Sequence, residues 1–224
     1  MAFTFVGSLR SALILLVVFV VGGVLMGFEM LGSRFLYPYF GGGIGTWAAL
    51  ISTVLYALAI GYFAGGALVD RHPSPMVIAG SIGVAALYLV GIPTFVDGVM
   101  QAILDSYGYG MGAVLLAAAL LLALPVGLLG MLSPAAVRLL LRQASNAGQV
   151  AGAVYGVSAV GNVAGILLTT FALIPSIGSR AITYCFALAL TLCGTVLILG
   201  YPREALAKSG IADRARHTPR SEVG

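Results

Sequence analysis

The chain has 224 residues, 60% of them hydrophobic and only 8% charged, and its eleven basic and seven acidic side chains leave a net charge of +4. This composition excludes an ordinary soluble domain and points to an all-α, polytopic membrane helix bundle. In such a protein the placement of the charges says more than their sum.

Six segments are long and apolar enough to cross a bilayer, at about Ser11 to Leu31, Thr46 to Leu68, Met76 to Val96, Met111 to Leu132, Val150 to Leu173 and Ala181 to Tyr201. The first resembles the core of a signal peptide, but it is long and no small-residue cleavage site closes it, so a retained span is expected. Between spans three and four, Asp97 to Tyr109 mixes Val99, Met100, Ile103 and Leu104 with Asp97, Gln101 and Asp105, the pattern of a short amphipathic helix lying on the membrane. Between spans four and five, Ser133 as N-cap and Pro134 open an expected surface helix from Ala135 to Arg142. Nine of the eleven basic residues share one side if the N-terminus is inside, leaving only Arg34 and Arg180 outside. That asymmetry predicts both termini in the cytoplasm and an even number of spans, and the cell (inner) membrane is the expected location. Residues 1–202 form the expected six-helix transmembrane domain, and 203–224 a polar, basic, disordered cytoplasmic tail.

The stretch from Gly27 to Gly45 holds Glu29, the only Glu outside the tail. A carboxylate at the end of an apolar run is costly unless it is paired or faces water, so Glu29 is either a functional site or a group solvated at headgroup level. Arg34 lies about 140° from it on a continuous helix, so the two can pair only if the helix ends between them, at Gly32-Ser33.

Tyr155, Ser158 and Asn162 fall at i, i+3 and i+7, on one helical face. Facing inward, they bind a substrate or bond between helices; Tyr56 and Tyr88 are candidates to join them. Small residues recur at four-residue spacing at Gly23 and Gly27, at Ala57, Gly61 and Gly65, at Gly148, Gly152 and Gly156, and at Gly161 and Gly165, which lets helices approach closely in lipid. Pro125 and Gly91-Ile92-Pro93 mark kinks or breaks. Cys185 and Cys193 are about 12 Å apart along a helix, too far to pair with each other.

Gly41-Gly42-Gly43-Ile44-Gly45 is not a phosphate loop, because no strand precedes it and no Lys-Ser/Thr follows. His72 and His217 are isolated, so no metal or cofactor site is expected, and no nucleophile, base and orienter can be assembled from spacing. The tail's basicity suits anionic headgroups better than nucleic acid.

Gly65-Gly66-Ala67-Leu68-Val69-Asp70-Arg71 resembles the element that follows the second helix of major facilitator transporters, where the resemblance implies an Asp and Arg that latch helices on the cytoplasmic side. His72-Pro73-Ser74-Pro75 stands where further basic residues usually follow, and the other reading is a tight turn with both charges solvated. Glu29-Met30-Leu31-Gly32-Ser33-Arg34, Gly61 to Arg71, Leu132 to Leu140, Gly148 to Gly152 and Gly161-Asn162-Val163-Ala164-Gly165 on to Arg180 together resemble the membrane portion of the spermidine-synthase-like proteins, fused major facilitator and spermidine synthase. The resemblance implies half of a major facilitator fold. It does not carry over the aminopropyltransferase chemistry, since about 22 residues follow Pro202, far short of a domain.

The expected function is therefore transport-like handling of a small cationic or amphipathic metabolite, a polyamine on family analogy. Glu29 would attract the cation, Arg34 tune it, Tyr155, Ser158 and Asn162 supply polar contacts, and Asp70 and Arg71 latch the cytoplasmic side. The alternative is a non-catalytic membrane anchor or accessory subunit of a larger complex or of a separate synthase-like enzyme. Partners besides the lipid bilayer are a second copy, through the small-residue faces of spans two and five, or other subunits.

Overall fold

A computed structural model describes residues 9–72, 74–141 and 144–200. The expected tail and the residues Pro73, Arg142 and Gln143 lie outside these limits. The described residues are almost entirely helical: α1 Leu9–Phe40, α2 Ile44–Arg71, α3 Pro75–Tyr107, α4 Met111–Ala118, α5 Leu124–Gly130, α6 Leu132–Leu140, α7 Ala147–Leu168 and α8 Ile174–Gly200. Five helical stretches are long and apolar enough to cross a membrane, the fourth being Met111–Leu140 and the fifth Ala147–Gly200.

Helices outrun the expected spans. α1 has 32 residues and α3 has 33, roughly 48 and 50 Å long, so both project past a hydrocarbon core of about 30 Å. Asp97 to Tyr107 is thus not a separate surface helix but the end of α3, held there by Val96, Met100 and Ile103, which are buried in the bundle. α3 starts as its sequence dictates, with the Ser74 side chain accepting from the Met76 N–H at 3.3 Å and Pro75 in the first turn. α6 does not begin at a Ser133 cap. Met131 keeps helical torsions, α6 starts at Leu132, and Ser133 is buried, because close packing of Met131 on Gly65 carries the helix through.

Two π-helical turns, Ala119–Ala123 and Thr169–Leu173, each end two residues before a proline, Pro125 and Pro175. A proline ring collides with the carbonyl four residues back, and the wider turn relieves that collision. Gly178 breaks α8 with φ 73° and ψ 159°, torsions open essentially to glycine alone.

α1 lies at the centre, with Val17, Val18, Val21, Phe28, Leu31 and Leu36 all buried. α7 runs parallel to it: Gly161 abuts Phe19, Gly165 abuts Gly23, and Thr169 abuts Gly27. Past Gly178 the direction reverses, Phe186 meeting Gly27 and Gly200 meeting Leu13. α2 packs along the fourth stretch through Gly61 on Gly127 and Gly65 on Met131. Span two's small-residue face is therefore spent inside the bundle rather than free for a second copy. On α7, Gly161 and Gly165 are likewise covered, whereas Gly148, Gly152 and Gly156 have open space around them.

Candidate functional site

α1 carries one stripe, Val18, Gly22, Leu25, Met26 and Glu29, spaced three and four residues apart and so facing one way. Its lower part, with Val21, walls a narrow cavity of about 30 Å³, bordered by Leu58 and Tyr62 of α2, Leu129 and Gly130 of α5, Leu132 and Ser133 of α6, and Ser158 and Asn162 of α7. The lining is chiefly apolar, with four polar side chains among it: Tyr62, Ser133, Ser158 and Asn162. The cavity lies in the half of the bundle nearer the end that holds Arg10, Asp70, Arg71 and Arg138.

Asn162 is held by both helices that meet there. With its amide nitrogen turned toward α1, the one orientation that satisfies both partners, it donates to the Gly22 carbonyl at 2.9 Å and to the Ser158 carbonyl at 3.2 Å. Gly22 permits the approach, since a Cβ there would sit 2.8 Å from the Ser158 carbonyl. Asn162 thus joins helices and lines the cavity at once. Tyr155 is exposed and does not line the cavity, though its hydroxyl lies within electrostatic reach of that of Tyr62.

Glu29 is seven residues beyond Gly22 on the same stripe, about 10 Å further along the axis and turned by only about 20°. It is 7% exposed and has no hydrogen bond or ion pair among the described residues. Above it the bundle is shut: Leu31, Leu36, Leu50 and Leu122 are fully buried, and a Cβ on Gly32 would stand 3.3 Å from Leu50 and Leu122. α1 does not end at Gly32-Ser33, where the Ser33 hydroxyl merely donates to the Met30 carbonyl at 2.7 Å. Arg34 is consequently carried to another face, exposed, and does not pair with Glu29.

Other polar side chains join helices at the bundle's ends. Asp70 pairs with Arg138 of α6 at 3.5 Å, both well exposed, while Arg71 is exposed beside them. At the opposite end Arg180 pairs with Asp97, and Tyr39 lies close to both, so α1, α3 and α8 meet in one polar cluster. Tyr88 does not join the α7 stripe; its hydroxyl donates to the Leu120 carbonyl in the first π turn. Nor does Tyr56, which is 72% exposed in a separate surface groove between α2 and the first π turn with α5. Among the described residues no three His, Cys, Asp or Glu side chains gather as metal ligands.

Tyr62 and Ser133 are the cavity residues that the sequence did not single out as a site. Tyr62 follows Leu58 by one helical turn, but α2 is apolar on every side, so nothing in that spacing says which face looks inward. Compared with known proteins, the chain matches no family model, no curated protein and no solved structure.

Proposed function

We propose that this chain is a transporter-like integral membrane protein that crosses the bilayer six times, with both termini cytoplasmic, and handles a small cationic metabolite. One observation carries the reading: Glu29 is 7% exposed, inside the bundle, with no partner among the described residues. A carboxylate largely withdrawn from water and without a protein partner is costly, so a protein that keeps one there gains from a cation that comes and goes. A narrow cavity of about 30 Å³ begins at Leu25 and Met26, about one helical turn before Glu29, and carries hydroxyl and amide groups over an apolar wall, though Glu29 itself does not line it. The likeness to the membrane portion of spermidine-synthase-like proteins supports a polyamine as the cation, and the basic end fits the cytoplasmic side. Ser158, Asn162 and Tyr62 are the contacting groups in this reading, Asp70 ties α2 to α6, and Arg34 acts from the headgroup level.

The test is Glu29→Gln, which keeps shape and removes charge. Substrate-dependent uptake into proteoliposomes should vanish while the melting temperature in detergent stays within a few degrees; unchanged uptake would sink the role given to Glu29.

A second reading is a non-catalytic membrane anchor or accessory subunit, favoured by the open face of Gly148, Gly152 and Gly156 on α7. Purification from native membranes in mild detergent distinguishes the two: a stoichiometric second protein favours the subunit, a homodimer or monomer the transporter.

A further inference from the structure

One copy of the bundle is short of both room and charge for a polyamine. Its cavity measures about 30 Å³, whereas a small-molecule site holds roughly 300–1,000 Å³. Glu29 is the one acidic side chain among the described residues that lies within the apolar part of the bundle. Asp70 and Asp97 sit near helix ends and are already paired with Arg138 and Arg180, and Asp105 is near the end of α3, accepting from Gln101 at 2.9 Å. One carboxylate neutralises one ammonium, and a polyamine carries two or more. The missing room lies beside the cavity. α2 and α7 flank α1 without packing on each other, so a cleft with α1 as its floor runs between them. Tyr62 on one wall and Tyr155 on the other are exposed, about 14 and 12 Å along their helices from the basic end, at a depth where lipid offers a hydroxyl no partner. Ser158 and Asn162, one and two turns beyond Tyr155, are only half-buried. Gly148 and Gly152, seven and three residues before Tyr155 and so on its side of α7, meet nothing within 4 Å, which lets another backbone come close. The floor, Val18, Gly22, Leu25 and Met26, leads on to Glu29 beyond the cavity lining.

We propose that a second copy of this chain closes the cleft between α2 and α7, and that the two copies together form one site in which a pair of Glu29 carboxylates meets a cation bearing two or more ammonium groups. This rests on the proposed role of Glu29 and deepens it. A second copy supplies what one bundle lacks. The basic end holds both copies the same way up, and a two-fold axis along the membrane normal then sets each residue opposite its mate at equal depth. Glu29, Tyr62 and Tyr155 are thereby doubled, and hydroxyl and amide groups that would face lipid face one another across a shared chamber.

The test joins two measurements on the full chain. Tyr155→Cys and, as a control, Leu87→Cys on the exposed side of α3 are each placed in a chain lacking Cys185 and Cys193 and oxidised in native membranes. Tyr155→Cys should yield a disulfide-linked dimer and Leu87→Cys should not. Calorimetry in nanodiscs then follows binding of spermidine and n-hexylammonium to the wild-type chain, Glu29→Gln and Glu29→Asp, each checked for folding by its melting curve. One spermidine should bind per two chains, at least about tenfold tighter than n-hexylammonium, because a second carboxylate meets its second charge. Binding should be lost in Glu29→Gln and kept in Glu29→Asp. One spermidine per chain, no preference over n-hexylammonium, or no dimer linked through Tyr155→Cys overturns the shared site; if Glu29→Gln still abolishes binding, Glu29 remains the counter-ion. Spermidine binding that is absent, or unchanged in a folded Glu29→Gln, overturns both.

Discussion

Single glycines show how closely this bundle is built and where it is not. A methyl at Gly165 would overlap the Gly23 carbonyl and one at Gly161 the Phe19 carbonyl, and backbone cannot rotate aside as a side chain can. Gly165→Ala should therefore cost about 1–3 kcal/mol, while Gly152→Ala, facing open space, should change stability by less than about 0.5 kcal/mol. Thermal unfolding in detergent compares the pair; equal losses would mean that α7 does not lie on α1 as described. The spacing of both glycines was legible in the sequence, but not which of them is covered. Charged residues behave differently. Arg180 and Asp97 have side chains 62% and 55% exposed, so water screens them, and Asp97→Asn should cost less than about 1 kcal/mol.

At the scale of helices, breaks matter more than caps. The prolines at 125 and 175 do not end their helices; each is accommodated by a π turn just before it, because packing on both sides holds the rod together. Gly178 does end one. Its torsions exclude a Cβ, so Gly178→Ala should destabilise the protein by about 1–3 kcal/mol, more than Gly152→Ala, and the same melting series checks it. Element ends were the weakest part of the sequence reading. Ser133 followed by Pro134 has the composition of a helix start, yet α6 begins before it, since burial of Leu132, Ala135 and Ala136 outweighs a capping hydroxyl. Likewise the polar residues of Asp97 to Tyr107 suggested a separate helix, but Met100 and Ile103 bind it to the bundle.

For the whole molecule, the issue is how many times the chain crosses. The stretch Ala147–Gly200 has 54 residues, roughly 81 Å as one rod against a core of about 30 Å, and its two parts run in opposite directions along α1. On six crossings, cysteines introduced by Ser179→Cys and Leu199→Cys in a chain lacking Cys185 and Cys193 react with an impermeant maleimide from opposite sides of the membrane. Labelling of both from one side would mean a single crossing there.

Composition by itself decided that this chain is a membrane helix bundle, because a core-sized soluble fold cannot carry so much apolar surface and so few charges. It also singled out Glu29, whose cost in lipid is visible without any coordinates. Partnerships were left to tertiary structure: Asn162 with Gly22, Asp70 with Arg138, Asp97 with Arg180, and Tyr62 with the cavity. The physical reason lies in the solvent. In water an apolar stripe marks the inward face of a helix, but in lipid both faces are apolar, so the pattern along the chain does not say which side chains meet until close packing of small residues has chosen.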